Sequence, residues 1–141
     1  MKYKDLFVSP QKMKSVMDSQ VNRLLKDTGL KSSHLPFIIS IGENDGCSMK
    51  DLCLMLGIDK GLVTRVVRAL INDGLVINAS QSGKTYKLSL TEEGREAFKI
   101  SSNVIDQVIE DVINVLDEDD IIAMRRITAK MNKKFDESYK Y

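Results

Sequence analysis

The chain has 141 residues, a length for one domain or one domain with helical extensions, and its 43% hydrophobic and 29% charged residues belong to a folded chain rather than a disordered one. Two cysteines, Cys47 and Cys53, and one histidine, His34, are too few ligands for structural zinc and too few thiols for a disulfide framework. The formal net charge of +1 singles out no partner, but residues 47–90 carry six basic against three acidic side chains while residues 91–141 carry eight against twelve.

No apolar run reaches the roughly 18–20 residues needed to cross a bilayer, so no membrane partner is expected. MKYKDLFVSPQK at the start has no apolar h-region, so a signal peptide is not expected and a cytoplasmic protein with reduced thiols is. Tyr3, Leu6, Phe7 and Val8 are more apolar than a free tail needs, which points to a packing partner such as another subunit. From about Gln11 to Lys26, Met13, Val16, Met17, Val21, Leu24 and Leu25 recur at helical spacing, and Thr28-Gly29 is expected to end that helix. Ser32 or Ser33 should cap the next one. It tolerates Pro36 in its first turn and is strongly apolar through Phe37, Ile38, Ile39 and Ile41, with a loop from Gly42 to Gly46.

Ser48 reads as the N-cap of a short helix, with Asp51 in its first turn. After Gly57-Ile58, Asp59 should cap a helix over about 60–72. Its apolar residues Leu62, Val63, Val66, Val67, Leu70 and Ile71 leave a polar stripe at Lys60, Gly61, Thr64, Arg65, Arg68 and Asn72. Gly74 stops it. The runs LVINAS and TYKLSL follow as strands: Tyr86, Leu88 and Leu90 alternate with Lys87 and Ser89, with Gln81-Ser82-Gly83-Lys84 at the tip of a wing over about 78–87. Thr91 is expected to cap a helix running to Leu116. Asp117 to Asp120 begin another, whose apolar face is Ile121, Ile122, Met124, Ile127, Met131 and Phe135.

The fold class is therefore mainly α with a small β-hairpin wing: a winged helix-turn-helix with long terminal helices as a dimerisation layer. It divides into an N-terminal segment and first helix (1–31), the winged region (32–94) and C-terminal helices (95–141), all one continuous domain. The second helix of such a motif can enter the major groove, and a symmetric reader pairs two of them one duplex turn apart, so a homodimer is expected.

GIDKGLVTRVVRALINDGLV at Gly57–Val76 and LSLTEEG at Leu88–Gly94 resemble a MarR-type winged helix-turn-helix regulator, and the resemblance extends from the first helix through the last. It implies a triangular dimer formed by the terminal helices, binding to pseudo-palindromic double-stranded promoter DNA, and often release when a small aromatic or an oxidant acts; the chain is accordingly read as a repressor. The chain departs from the family at the wing tip. Ser82, Gly83 and Lys84 stand where many members carry an acidic–basic–basic triplet, and no Cys lies near the start of the first helix, where redox-sensing members place one.

The residues placed at DNA are Ser48, Lys50, Lys60, Gly61, Thr64, Arg65, Arg68, Lys84 and Lys87. Arginine can bond guanine O6 and N7 together, lysines serve phosphates, and Ser48 with its helix amides can hold a phosphate. The plainer readings are a solvated helix face, solubilising edge lysines and simple capping. Met13, Met17, His34, Phe37 and Ile41 could line a pocket for a small aromatic effector, or be ordinary core. Cys53 reads as core, and Cys47, just before a helix N-terminus, stands where a thiolate could be favoured, although a redox role is the lesser reading. No nucleophile–base pair, phosphate loop or metal-ligand cluster is present, so neither catalysis nor a cofactor is expected. The alternative reading is a winged-helix dimerisation or protein-interaction module without specific DNA binding, prompted by the sparse wing tip and the near-zero net charge.

Overall fold

The structure is a computed structural model that describes residues 1–138; the last three residues of the 95–141 segment lie outside it. The chain forms two compact units, 1–108 and 109–141.

In the first unit, helix α1 spans Pro10–Leu24. It begins earlier than the apolar spacing indicates, because Ser9 Oγ accepts the Lys12 N–H at 3.4 Å and Pro10 occupies the first turn. It also ends earlier than Lys26. The Thr28 hydroxyl donates to the Leu25 carbonyl at 2.6 Å and accepts from Leu30 N–H at 3.2 Å, offering the backbone a turn in place of more helix.

Ser32 and Ser33 do not cap the following helix. With His34 they form a 3-10 turn, and α2 spans Leu35–Glu43 with Pro36 in its first turn. The Leu35 N–H bonds to Ser32 O and proline has no N–H, so the first turn needs less from a serine cap.

Helix α3 (Met49–Leu56) opens with a reciprocal cap. Ser48 Oγ accepts Asp51 N–H at 3.0 Å and the Asp51 carboxylate accepts Ser48 N–H at 2.9 Å. Gly57 closes it at φ +64°, a left-handed conformation that costs a side-chain-bearing residue more. Helix α4 (Lys60–Asn72) then starts on Asp59, whose Oδ1 accepts Leu62 N–H at 3.0 Å. It ends in a Schellman turn, with Leu75 N–H bonded to Leu70 O and Gly74 N–H to Ile71 O, each at 3.0 Å.

The hairpin is shorter than LVINAS and TYKLSL imply. β1 (Val76–Asn78) pairs antiparallel with β2 (Leu88–Leu90), matching Val76 to Leu90 and Asn78 to Leu88. Only Ala79 N–H to Lys87 O, at 2.8 Å, continues the pairing, and Tyr86 lies outside the strand. On its other edge Leu88 pairs with Cys47, through Leu88 N–H to Cys47 O at 2.9 Å and Gly46 N–H to Leu88 O at 2.8 Å. The 46–47 loop is thus a third, one-residue strand.

The main core joins Phe37, Ile38 and Ile41 of α2 to Leu52 and Cys53 of α3, Val63, Val66, Val67 and Leu70 of α4, and Val76 and Leu88 of the hairpin. Each such aliphatic side chain contributes about 1.5–3 kcal/mol by leaving water. A second core joins Val21 and Leu25 to Leu35, Val104 and Val108, so helices outside 32–94 complete the packing of this unit.

Helix α5 spans Glu92–Ile113, and the next residues up to Leu116 form a turn rather than its last part. In the second unit, α6 (Glu118–Ser138) is opened by a reciprocal cap between Asp117 and Asp120. Its predicted apolar stripe is present, yet no described α6 residue is buried, and Ile122, Met124, Ile127 and Phe135 are exposed. Val115 is 82% exposed. Tyr3, Leu6, Phe7 and Val8 in the first unit are likewise uncovered. No described helix is long and apolar enough to cross a membrane.

Candidate nucleic-acid interface

Three elements of the first unit converge on one open groove of about 480 Å³. The start of α3 supplies Ser48, Met49 and Lys50, α4 supplies Lys60, Thr64 and Arg68, and the wing supplies Lys84, Thr85 and Tyr86. Lys60, Thr64 and Arg68 are four residues apart and form a single line along the helix. Val63, Val66, Val67 and Leu70 are buried behind that line and fix which way it faces.

The groove therefore gathers six of the nine residues predicted at DNA: Ser48, Lys50, Lys60, Thr64, Arg68 and Lys84. Gly61 and Arg65 are exposed on the adjacent strip of α4, outside the groove lining. Lys87 is exposed but does not line the groove.

Four cations line this surface and no carboxylate does. None of them pairs with a carboxylate among the described residues, where the ion pairs are Lys14–Asp18 and Lys99–Glu96. The neighbouring acids are held in caps. Bonds from Ser48 backbone and side chain keep the Asp51 carboxyl below its usual range, so it is ionised at the positive end of α3. An anion entering the groove meets two helix starts, four positive side chains and the three hydroxyls of Ser48, Thr64 and Thr85, with Met49 and the Tyr86 ring beside them.

Sequence reasoning missed the joint that fixes α4 from below. The Thr91 hydroxyl donates to the Gly74 carbonyl at 2.6 Å and accepts Gly94 N–H at 3.0 Å, while Thr91 N–H donates to Leu75 O at 3.0 Å. The C-terminal turn of α4 and the first turn of α5 thus share one threonine. Gly94 permits the approach, since a Cβ there would overlap the Leu75 carbonyl. Thr91 was legible as a cap, but its bond across seventeen residues had no local signal.

The residues read as a possible ligand pocket divide between the two cores. Phe37 and Ile41 belong to the main core, Met17 packs against the second, and Met13 is 45% exposed. His34 is half-buried on the 3-10 turn. Burial and the nearby Lys31 charge lower its pKa, against a smaller opposing effect of Asp73.

Cys53 is core, as expected. The thiolate-favouring reading of Cys47 is corrected: the bridge to Leu88 draws it into the core at 7% exposure. Burial pushes its pKa up, and the charges of Asp51 and Asp45 push it further. Among the described residues, no three His, Cys, Asp or Glu side chains are grouped as a metal site would require.

Two helices joined by a tight turn, an antiparallel wing and a cationic groove between them define a winged helix-turn-helix protein. Residues 28–83 match the MarR family model, and the chain is similar there to the winged helix-turn-helix regulators of that family. It is 25% identical over 111 residues, 77% of each chain, to the HTH-type transcriptional regulator BilQ of Clostridium symbiosum (strain WAL-14163). Among solved structures, it resembles a MarR family transcriptional regulator from Listeria monocytogenes complexed with 26mer DNA, at TM-score 0.82, 20% identity and 91% and 87% coverage of the two chains. The transcriptional regulator SlyA matches at TM-score 0.81, 18% identity and 91% and 92% coverage. A Mycobacterium tuberculosis MarR family protein in complex with salicylic acid matches at TM-score 0.66, 20% identity and 86% and 91% coverage.

Proposed function

We propose that the chain is a homodimeric, sequence-specific reader of double-stranded promoter DNA that represses transcription from the cytoplasm. Helix α4 would enter the major groove and the wing would reach the minor groove or backbone. The observation that carries this reading is the acid-free groove, which gathers Ser48, Lys50, Lys60, Thr64, Arg68 and Lys84 from three separate elements. In the docked arrangement Arg68 and Thr64 meet base edges, whereas Lys50, Lys60 and Lys84 neutralise phosphates. Arg65 and Gly61 lie on the flanking strip, where Arg65 can reach a neighbouring base or phosphate.

The dimer is supported by apolar side chains that one chain leaves in water: Ile122, Met124, Ile127 and Phe135 on α6, Val115 before it, and Tyr3, Leu6, Phe7 and Val8 at the other end. Two copies give two recognition helices, matching a two-fold operator. A small aromatic effector is supported by the M. tuberculosis relative's complexes with salicylic acid and p-aminosalicylic acid. Such a ligand must favour one spacing of the recognition helices over another, or it shifts nothing.

Titration of the protein against the DNA upstream of its own gene, at several salt concentrations, tests the reading. Preference over random duplex with steep weakening as salt rises is expected, because each neutralised phosphate adds about 0.9 to the logarithmic slope. Binding without preference even at low salt would favour a protein-interaction module instead, the reading that the one-cation wing tip supports.

A further inference from the structure

Lys84 reaches the groove although the wing has no other charged residue and no apolar anchor between Ala79 and Thr85. A run of side-chain-to-backbone bonds, each spanning two residues, leads to it. Asn78 Oδ1 accepts Ser80 N–H at 3.1 Å, Ser80 Oγ accepts Ser82 N–H at 3.2 Å, and Ser82 Oγ accepts Lys84 N–H at 3.3 Å. The same Asn78 oxygen accepts Lys87 N–H from the opposite side of the loop at 3.0 Å. Ser80 Oγ also lies 3.5 Å from Thr85 Oγ1. One half-buried amide therefore closes the base of the wing, and two hydroxyls carry its path to the tip.

We propose that Asn78, Ser80 and Ser82 are positioning residues for DNA recognition, setting the path that brings the Lys84 ammonium to the groove beside Lys60, Thr64 and Arg68. The proposal rests on the DNA-binding reading above. A free loop of this length would have to be ordered at the moment of binding, at a cost in conformational entropy that weakens the contact its lysine makes. Bonds of two-residue reach restrict the backbone before DNA arrives. They add no charge that would repel phosphate, and each uses a residue type that readily bonds its own backbone. Asn78 touches no DNA in this arrangement and acts through Lys84.

The experiment uses a duplex that the wild-type protein selects from a random-sequence pool. Affinity is measured across a range of salt for wild type, Asn78→Ala, Ser82→Ala, Lys84→Ala and the Asn78→Ala/Lys84→Ala pair. Asn78→Ala and Ser82→Ala are each expected to weaken binding about threefold to tenfold and to lower the salt slope by up to about one, as loss of a phosphate contact does. With Lys84 already removed, deleting Asn78 should change affinity less than about twofold, because the two act as one unit. Unchanged binding in both Asn78→Ala and Ser82→Ala, or an equal loss with and without Lys84, would overturn the proposal. If Asn78→Ala lowers the melting temperature, Ser82→Ala on its exposed site reports the same path without touching β1. A pool in which the wild-type protein enriches no duplex overturns the DNA-binding reading, and this proposal with it, before any variant is compared.

Discussion

Helix α4 and the wing face the same groove, yet they are held there in different ways. α4 is fixed from behind by Val63, Val66, Val67 and Leu70, at its start by the Asp59 cap, and at its end by the Gly74 turn and Thr91. The wing has two three-residue strands, an exposed tip and polar bonds of its own side chains. A rigid helix suits base readout, in which a small misplacement loses a bidentate pair. A lightly held loop suits a phosphate contact, which tolerates more movement.

The comparison breaks most visibly if the back of α4 is emptied. Leu70→Ala should cost about 2–5 kcal/mol of stability, read by urea unfolding, since Leu70 is fully buried where α2, α4 and the hairpin meet. No wing substitution should approach that. Asp59→Ala should cost about 1 kcal/mol by removing the α4 cap, and a loss of DNA affinity should accompany it as the first turn frays away from Lys60. Lys84→Ala should leave the unfolding curve unchanged and lower the salt slope of DNA binding by about one. An unfolding shift as large as that of Asp59→Ala would show that the wing is structural rather than a contact.

The smallest expected effect concerns Cys47. Its pKa in the folded chain lies above that of the unfolded chain, so its contribution to stability is complete below the unfolded value and is lost as pH rises through the folded one. Unfolding across the alkaline thiol range should therefore show a downward slope that Cys47→Ala reduces. Reaction of the native thiol with iodoacetamide at neutral pH should be slow beside the urea-unfolded chain. A fast native reaction would contradict the burial.

The helices were legible because their caps and periods agree. Ser48 with Asp51, Asp59, Gly74 and Thr91 stand where local chemistry requires them, and the six apolar residues of α4 fix its inward face. The polar stripe could thus be assigned to the outward face of α4 from spacing, and to DNA only from its place between a capped turn and a wing. What failed was set by tertiary contacts. Ser32 and Ser33 entered a 3-10 turn, Cys47 was captured by the free edge of β2, and Asn78 ended its strand by taking two backbone donors onto one side-chain oxygen. Arg65 and Arg68 looked equivalent on the polar face. Only the position of the wing and of α3 separates the one in the groove from the one beside it.

The central claim is that the line Lys60–Thr64–Arg68 reads DNA while the residues behind it only hold it. Equilibrium binding of Arg68→Ala to the duplex selected by wild type, and to versions with single base changes, tests that claim most directly. The account predicts a loss of about 1–3 kcal/mol in affinity, relaxed discrimination at one base position in each half-site, and an unaltered unfolding curve. Wild-type affinity and wild-type base preference in a fully folded Arg68→Ala protein would contradict it.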